Sequence, residues 1–182
     1  MIIGSTSENL EIEKRVSLTP DILKKYKSLG IDMCINKGYA DHLGFSDKHY
    51  EEEGVEVLEN EKDVILKSDI IVQLQIPDKE KLKLLKKDQT LIGVLNPYLN
   101  ESILKDLNQR EINCFSLELL PRITRAQSMD ILSSQANLAG YKAVVDSFSI
   151  FEKAIPMMMT AAGTISAAKV LVVGAGVAGL QA

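Results

Sequence analysis

The feature that most constrains the fold is a short apolar strand predicted at residues 169–173, followed directly by Gly174, Gly176 and Gly179. This spacing is typical of a dinucleotide-binding turn between a strand and a helix. Gly174 would form the tight turn, Gly176 would let a pyrophosphate approach the backbone, and Gly179 would let the helix lie close to its strand. The phosphates would bind unpaired N–H groups at the helix N-terminus, where the helix dipole also favours negative charge. The predicted cofactor contacts of this turn are Gly174, Gly176, Val177 and Gly179.

The glycine spacing by itself also fits a turn that binds no ligand. The β-branched run before it favours a nucleotide site. An acidic residue that holds the adenosine ribose is expected about 20 residues beyond the turn, whereas the sequence stops at Ala182. We therefore expect the truncated start of a Rossmann nucleotide-binding domain.

Composition argues against several classes of function. The net charge of −4 does not suit a nucleic-acid-binding protein, which would show a basic face. Cys34 and Cys114 match no metal or redox spacing, so we expect two buried, reduced thiols. His42 and His49 have no cysteine cluster near them, and no metal site is predicted. We expect neither a signal peptide nor a membrane span, since the longest uncharged stretch is shorter than the ~20 residues that cross a bilayer.

Residues 1–125 alternate apolar strands with helices. Strands are predicted at residues 1–5, 31–36, 55–58, 69–76, 90–95 and 112–117, with helical patterns between them. Short turns join these elements, which favours a mainly parallel sheet covered on both faces. The predicted fold class is therefore α/β, with a Rossmann-like parallel-sheet domain.

Beyond that domain, the polar loop at residues 122–130 leads into one long helix, predicted to run to about Ile155. Thr124 with Gln127, or alternatively Ser128, is predicted to cap its start. Apolar residues recur at helical spacing and predict a buried stripe, formed by Ile131, Leu138, Tyr141, Val145 and Phe148.

Three regions are predicted along the chain. An α/β domain occupies residues 1–125, the long bridging helix and a linker occupy residues 126–160, and the start of the nucleotide-binding domain occupies residues 161–182. A helix that bridges two α/β units predicts a ligand cleft between domains.

The polar loop is the main candidate for chemistry outside the glycine turn. Its donors and acceptors could orient a carboxamide, a ribose or a phosphate. A capped helix start with two surface arginines, Arg122 and Arg125, explains the same residues equally well. The residue types alone leave both interpretations open.

The chain closely resembles the NAD(H)-binding component of proton-translocating nicotinamide nucleotide transhydrogenase, which lies at the N-terminus of the alpha subunit. The resemblance rests on the strings RITRAQSMDILSSQANLAGYKAV and MMMTAAGTISAAKVLVVGAGVAGLQA. It extends to Glu13, Arg15 and Pro20 near the start, and so covers nearly the whole chain. It implies an oxidoreductase that transfers hydride between NAD(H) and NADP(H), coupled to proton translocation.

The resemblance also implies roles for the polar loop. The family's Arg, Gln and Asp fall on Arg122, Gln127 and Asp130. The Arg and Asp would hold the nicotinamide carboxamide, and the Gln would reach towards NADP(H) on a partner domain. Direct hydride transfer needs two rings held close together, which suits a preorganised polar loop. The implied cofactor contacts are Arg122, Ile123, Thr124, Gln127, Ser128, Met129, Asp130 and Ser133.

The implied cofactors are NAD(H) on this chain and NADP(H) on a partner domain. The implied partners are that NADP(H)-binding domain, a membrane subunit and a second copy of the chain. The expected location is cytoplasmic, peripheral to the inner membrane through those subunits. We expect the 182-residue chain alone to bind NADH weakly or not at all and to be inactive.

Two alternatives remain. The chain as given would be a non-catalytic binding or assembly module, or it would resemble the related alanine dehydrogenases in activity. Those enzymes need a lysine and a histidine to bind and protonate an oxo-acid. The matching positions here are Gln75 and Asn96, whose amides do not titrate near neutral pH. Alanine chemistry is therefore disfavoured.

Overall fold

A six-stranded parallel sheet forms the centre of the N-terminal region of the molecule. The computed structural model describes residues 1–182, and the sheet has the order β3-β2-β1-β4-β5-β6. All six predicted strands are confirmed, each to within one residue at either end. The strands are β1 (Ile2–Ser5), β2 (Asp32–Asn36), β3 (Glu56–Leu58), β4 (Ile70–Gln75), β5 (Thr90–Val94) and β6 (Asn113–Ser116).

Five helices connect these strands and pack apolar side chains against them. They are α1 (Pro20–Ser28), α2 (Asp47–Glu52), α3 (Glu61–Lys67), α4 (Lys79–Leu84) and α5 (Glu101–Gln109). One buried cluster joins Leu23 of α1 to Ile35 of β2, and a second joins Leu107 of α5 to Leu91 of β5. Each fully buried side chain of this size contributes about 1.5–3 kcal/mol. The confirmed fold is a Rossmann-like α/β domain.

A buried polar network holds the segment between β1 and α1 against the sheet. The Tyr39 hydroxyl lies 2.8 Å from Ser5 Oγ and accepts hydrogen bonds from the backbone N–H groups of Ser17 and Leu18, at 3.1 and 3.2 Å. Gln73 Oε1 on β4 lies 3.1 Å from the same Ser5 Oγ. Tyr39 is buried at 2% exposure. These bonds fix the segment at the carboxyl ends of β1 and β4.

Both histidines make hydrogen bonds within the fold, and both cysteines are free thiols. His42 Nε2 lies 2.8 Å from the Lys14 carbonyl oxygen, and His49 Nδ1 accepts from the Ser46 N–H at the start of α2. Cys34 is buried, but Cys114 is exposed. The expectation of two buried thiols is therefore wrong for Cys114, because it lies on β6 at the edge of the sheet.

Two compact units divide the chain, Met1–Leu119 and Leu120–Ala182. The second unit contains the long helix α6 (Ile131–Ile150), an antiparallel hairpin and the short helix α7 (Val177–Gln181). The hairpin pairs β7 (Met158–Thr160) with β8 (Gly163–Ile165). It was not predicted, although Gly163 with a φ of +130° is the kind of turn residue that signals one. None of the helices combines the length and apolar character needed to span a membrane.

The predicted strand at residues 169–173 is not formed. These residues carry no strand hydrogen bonding, and Leu171 and Val173 are 86% and 90% exposed. A strand requires a hydrogen-bonded neighbour. The only strands of this unit, β7 and β8, pair with each other. The β-propensity of residues 169–173 therefore does not produce a strand, because no strand lies beside them to pair with.

Two expectations for the long helix are also wrong. It ends at Ile150, because Phe151 adopts an extended conformation, whereas the prediction placed its end near Ile155. Gly140 is the only buried residue of α6, since few elements of this unit cover the helix. The predicted buried stripe is exposed at Leu138, Tyr141, Val145 and Phe148.

Replacement of Tyr39 by phenylalanine tests the polar network. Tyr39→Phe removes the acceptor for the Ser17 and Leu18 N–H groups, so we expect the free energy of unfolding to fall by about 1–3 kcal/mol. Urea denaturation followed by circular dichroism measures the change. The same substitution at Tyr98, which is 87% exposed, is the control and should stay within about 0.5 kcal/mol. Equal losses in the two variants would contradict the role of the network.

Candidate functional site

The polar loop folds around the carboxylate of Asp130. A 3₁₀ turn, Thr124–Met129, ends directly before Asp130, and α6 begins directly after it. Asp130 Oδ1 accepts from the Ser133 N–H at 2.9 Å, and Oδ2 accepts from Ser133 Oγ at 2.7 Å. Arg122 donates from Nε to Asp130 Oδ2 at 3.3 Å and from Nη2 to Ser133 Oγ at 2.9 Å. Three predicted site residues thus form one hydrogen-bonded network.

The cap of α6 differs from the prediction. Thr124 with Gln127, or Ser128, was expected to fill this role, whereas Asp130 occupies the N-cap position and bonds the Ser133 N–H. A short carboxylate directly before the first helical residue reaches that N–H group with little loss of entropy. The three other residues lie within or at the start of the 3₁₀ turn, too early in the chain to reach it.

Hydrogen bonds and a neighbouring positive charge keep the Asp130 carboxylate ionised. The pKa of Asp130 lies below its usual range, mainly because its carboxylate accepts hydrogen bonds from Ser133, with a further contribution from the Arg122 guanidinium. The N-terminal end of the helix dipole acts in the same direction. The side chain of Asp130 is only 12% exposed, whereas that of Arg122 is 61% exposed. Asp130 therefore orients an arginine that is itself more than half exposed.

An open cavity of about 480 Å³ lies beside this network. Its volume falls in the range of small-molecule pockets. The residues that line it are Arg122, Ile123, Thr124, Gln127 and Asp130. Ser133 does not line the cavity but accepts a hydrogen bond from Arg122, which does. Ser128 and Met129 belong to the 3₁₀ turn and do not line the cavity. Five of the predicted site residues therefore line this one cavity.

The glycine turn lies in the same unit and precedes α7. Gly174 has a φ of +117°, which other residues rarely adopt. A Cβ atom at Gly179 would lie 2.1 Å from the Gly174 carbonyl oxygen, so the helix packs directly on the turn. Space is open around Gly176, and α7 begins at Val177. These residues could therefore accommodate the phosphates of a dinucleotide.

A second polar group lies at the carboxyl end of the sheet. Arg15 forms a two-point ion pair with Glu13, from Nε to Oε1 at 2.8 Å and from Nη2 to Oε2 at 2.5 Å. Gln75 Nε2 lies 3.4 Å from Glu13 Oε2. Asn96, after β5, donates its backbone N–H to Glu118 Oε1 at 2.5 Å. Gln75 and Asn96 both carry amides, which do not titrate near neutral pH.

The sheet order places two halves on either side of the β1/β4 pair, which is the arrangement of Rossmann-type nucleotide-binding proteins. Together with the glycine turn, this fold defines an α/β protein of the nucleotide-dependent dehydrogenase class. The family model described as "Alanine dehydrogenase/PNT, N-terminal domain" matches residues 4–139, and "Alanine dehydrogenase/PNT, C-terminal domain" matches residues 143–182. The chain belongs to the alanine dehydrogenase/PNT family.

Relatives known by sequence refine this assignment. All of this chain aligns, at 40% identity, with a Rickettsia prowazekii protein named as the first portion of NAD(P) transhydrogenase subunit alpha, and covers 49% of that protein. All of it also aligns, at 41% identity, with the "NAD(P) transhydrogenase subunit alpha" of Cereibacter sphaeroides and covers 35% of that protein. The chain therefore spans half or less of the length of these relatives.

Solved structures agree with the sequence relatives. All of this chain matches the transhydrogenase structure from Sinorhizobium meliloti and covers 54% of that chain. The TM-score is 0.93 and the sequence identity is 41%. An L-alanine dehydrogenase structure matches 77% of this chain, which covers 38% of the dehydrogenase chain. The TM-score is 0.70 and the sequence identity is 24%. The second match shows a shared fold.

The Glu13–Arg15 pair predicts a dependence of stability on pH. The hydrogen bonds from Arg15 lower the pKa of Glu13 from its usual value of 4.5 to about 2. Because the unfolded chain then binds the proton more readily, the pair stabilises the fold fully above about pH 4.5 and loses this effect as the pH falls through about 2. We expect Glu13→Gln to lower the free energy of unfolding near neutral pH and to lose this difference from wild type across that acidic interval.

Chemical denaturation at a series of pH values measures this difference. Glu59→Gln is the matched control, because the Glu59 side chain is 80% exposed and pairs only with a surface lysine. Its difference from wild type should be small at every pH. A Glu13→Gln difference that stays constant down to pH 2 would contradict the assignment.

Proposed function

We propose that this chain is the NAD(H)-binding portion of the alpha subunit of a proton-translocating NAD(P) transhydrogenase. The complete enzyme would transfer hydride between NAD(H) on this subunit and NADP(H) on a partner domain, coupled to proton translocation through a membrane subunit. The observation that carries the proposal is the Arg122 guanidinium, held by Asp130 and Ser133 at the wall of a cavity that Gln127 also lines.

The chemistry of this wall suits a carboxamide. A nicotinamide carboxamide has one carbonyl acceptor and one NH₂ donor group. Arg122 uses Nε and Nη2 within the network, and its Nη1 group can donate to the carbonyl oxygen. A carboxylate has about four acceptor sites, so Asp130 retains capacity for the amide N–H. The pair would fix the plane of the ring.

Gln127 would act on the other side of the ring. It belongs to the 3₁₀ turn that ends at Asp130, so its backbone is tied to the carboxylate that orients Arg122. Its side-chain amide offers both a donor and an acceptor. Bound NAD(H) supplies the hydride chemistry itself. The contribution of the protein is to hold one ring where a second can approach it.

The partners and the domain division also belong to the proposal. A relative named as a subunit of transhydrogenase supports assembly with other subunits. We propose that these are an NADP(H)-binding domain and a membrane subunit, that the chain lies in the cytoplasm at the inner membrane, and that it pairs with a second copy of itself. The three-region division at residues 125 and 160 and the cofactor contacts of the glycine turn are proposed with it. The 182-residue chain, which spans about half of that relative, would be inactive alone.

One observation favours a second candidate, a non-catalytic assembly module. Apolar side chains of residues 168–173 lie along α6 beside an open groove of about 450 Å³, and Leu171 and Val173 are almost fully exposed. Exposed apolar surface of this kind favours contact with further protein. The module and the transhydrogenase subunit differ in whether the polar loop binds NADH.

The test places this chain in a complete subunit, where it replaces the aligned segment of the Rickettsia prowazekii relative. The chimera is mixed with an NADP(H)-binding partner domain and with NADH that carries deuterium at C4. Mass spectrometry should then find deuterium in the NADPH. Reduction of pyruvate with ammonia, without transfer to NADP⁺, would make the proposal wrong. A chimera that assembles with its partner but binds no NADH would support the module instead.

Removal of the Arg122 guanidinium should weaken cofactor binding. Hydrogen bonds to charged groups contribute about 1.5–3 kcal/mol, so Arg122→Ala in the chimera should lower NADH affinity roughly 10- to 150-fold. Fluorescence titration of NADH measures it. Arg125→Ala is the control, because Arg125 is exposed and does not line the cavity. Equal affinities for the two variants would exclude the loop as the nicotinamide site.

A shortened Gln127 should separate binding from transfer. Gln127→Asn keeps the amide but withdraws it by one methylene, and a displacement of about 1 Å in a reacting geometry can cost on the order of 100-fold in rate. We expect deuterium transfer to slow by at least tenfold while NADH affinity changes less than threefold. Equal losses of rate and affinity would contradict the bridging role.

A further inference from the structure

The helices α6 and α7 approach each other unusually closely at Gly140. A Cβ atom placed on Gly140 would lie 2.1 Å from the carbonyl oxygen of Ala178 and 3.0 Å from its Cα. The first distance is far shorter than a van der Waals contact, and the second is at the tight limit of such contacts. The backbone of α7 therefore occupies the space that any other residue at position 140 would need.

A glycine at this place otherwise works against the helix. Glycine in a helix interior is destabilising relative to alanine, because it loses more conformational freedom on folding. Gly140 lies in the middle of α6, about ten residues from either end. The contact with Ala178 gives a physical reason for its presence.

A second contact fixes the rotation of α7. Asn137 lies three residues before Gly140, so the two share one face of α6. Its Nδ2 group donates to Gln181 Oε1 at 2.8 Å. Backbone packing at Gly140 and this hydrogen bond act at different points along α7. Together they define both its position and its orientation on the long helix.

The contact reaches the glycine turn through α7. A Cβ atom at Gly179 would lie 2.1 Å from the Gly174 carbonyl oxygen, so the short helix and the turn form one packed piece. The other end of α6 begins at Asp130, whose carboxylate organises the polar loop. From Asp130 to Gly140 the helix rises about 15 Å. One continuous helix therefore carries both proposed subsites.

We propose that Gly140 and Asn137 are positioning residues, which dock α7 on α6 and so set the distance between the phosphate-binding turn and the nicotinamide-binding loop. This role rests on the proposed function for its ligand. The two halves of a dinucleotide are joined, so the second half binds at a high effective concentration only when the spacing of its subsites is correct. Neither residue needs to touch the cofactor.

The docking itself is tested on the 182-residue chain by hydrogen exchange. The reporters are the amides of Leu180 and Ala182, which bond the carbonyls of Gly176 and Ala178 at 2.9 and 3.0 Å. Gly140→Ala should speed their exchange at least tenfold and lower the melting temperature. If α7 does not dock there, the same substitution should raise helix stability and leave the two amides unchanged, which would overturn the proposal.

Controls separate docking from general disruption. Ala139→Ser also adds one heavy atom to α6, on an exposed residue, and should leave the α7 amides within twofold of wild type. Exchange in β1 and β5 should not change in any variant. Asn137→Ala and Gln181→Ala should each speed exchange in α7, and the double variant should be no faster than either. Additive effects, or a wild-type α7 that exchanges like an unfolded peptide, would also overturn the docking.

The functional consequence is measured in the chimera with three ligands, which are NADH and its two halves, AMP and reduced nicotinamide mononucleotide. Gly140→Ala and Asn137→Ala should lower NADH affinity at least tenfold and leave the affinity for each half within twofold. Equal losses for NADH and the halves would indicate a merely structural role and overturn the positioning. If Arg122→Ala leaves NADH affinity unchanged, the proposed function fails, while the exchange results on docking stand independently.

Discussion

The second unit depends on the carboxylate of Asp130. This one group satisfies the Ser133 N–H at the start of α6 and holds the guanidinium of Arg122. Unpaired N–H groups at a helix start are costly when they are not capped, so the helix and the loop stabilise each other through it. The cap is therefore inseparable from the candidate site. The two interpretations of the loop, a capped helix start and a ligand site, describe the same residues without conflict.

The sheet was predictable because its information is local. Each strand is a short apolar run bounded by turn residues, and the boundaries at Pro77, Asn60 and Gly54 lie where the structure breaks the elements. The polar network was not predictable, because Ser5 meets Tyr39 and Gln73, residues that lie 34 and 68 positions away. No periodicity in sequence reports such a contact. The burial of polar groups is decided by tertiary pairing.

Two of the failed predictions, the strand at residues 169–173 and the buried stripe of α6, have a common physical origin. The run at residues 169–173 has strand propensity, and Leu138 and Tyr141 have helical spacing. A strand forms only beside a pairing strand, and an apolar helix face is buried only when another element packs against it. This unit does not provide one, so the side chains stay exposed. The contact at Gly140 was not predictable for the opposite reason, since a glycine within a helix carries no apolar signal. The sequence correctly predicted that a short polar side chain caps the start of α6, but it favoured Thr124 or Ser128 where the structure has Asp130.

The two arginine–carboxylate pairs explain why orientation suits this protein better than proton transfer. Glu13 and Asp130 have side chains that are only 7% and 12% exposed, and each orients an arginine that is more than half exposed. The pKa of each carboxylate is lowered, mainly by Arg15 for Glu13 and mainly by Ser133 for Asp130. Such a carboxylate stays ionised and is a poor general acid. Gln75 beside Glu13 adds an amide, which does not titrate. Groups of this kind can hold a ring in place, which is what the proposed direct transfer of hydride between two cofactors requires.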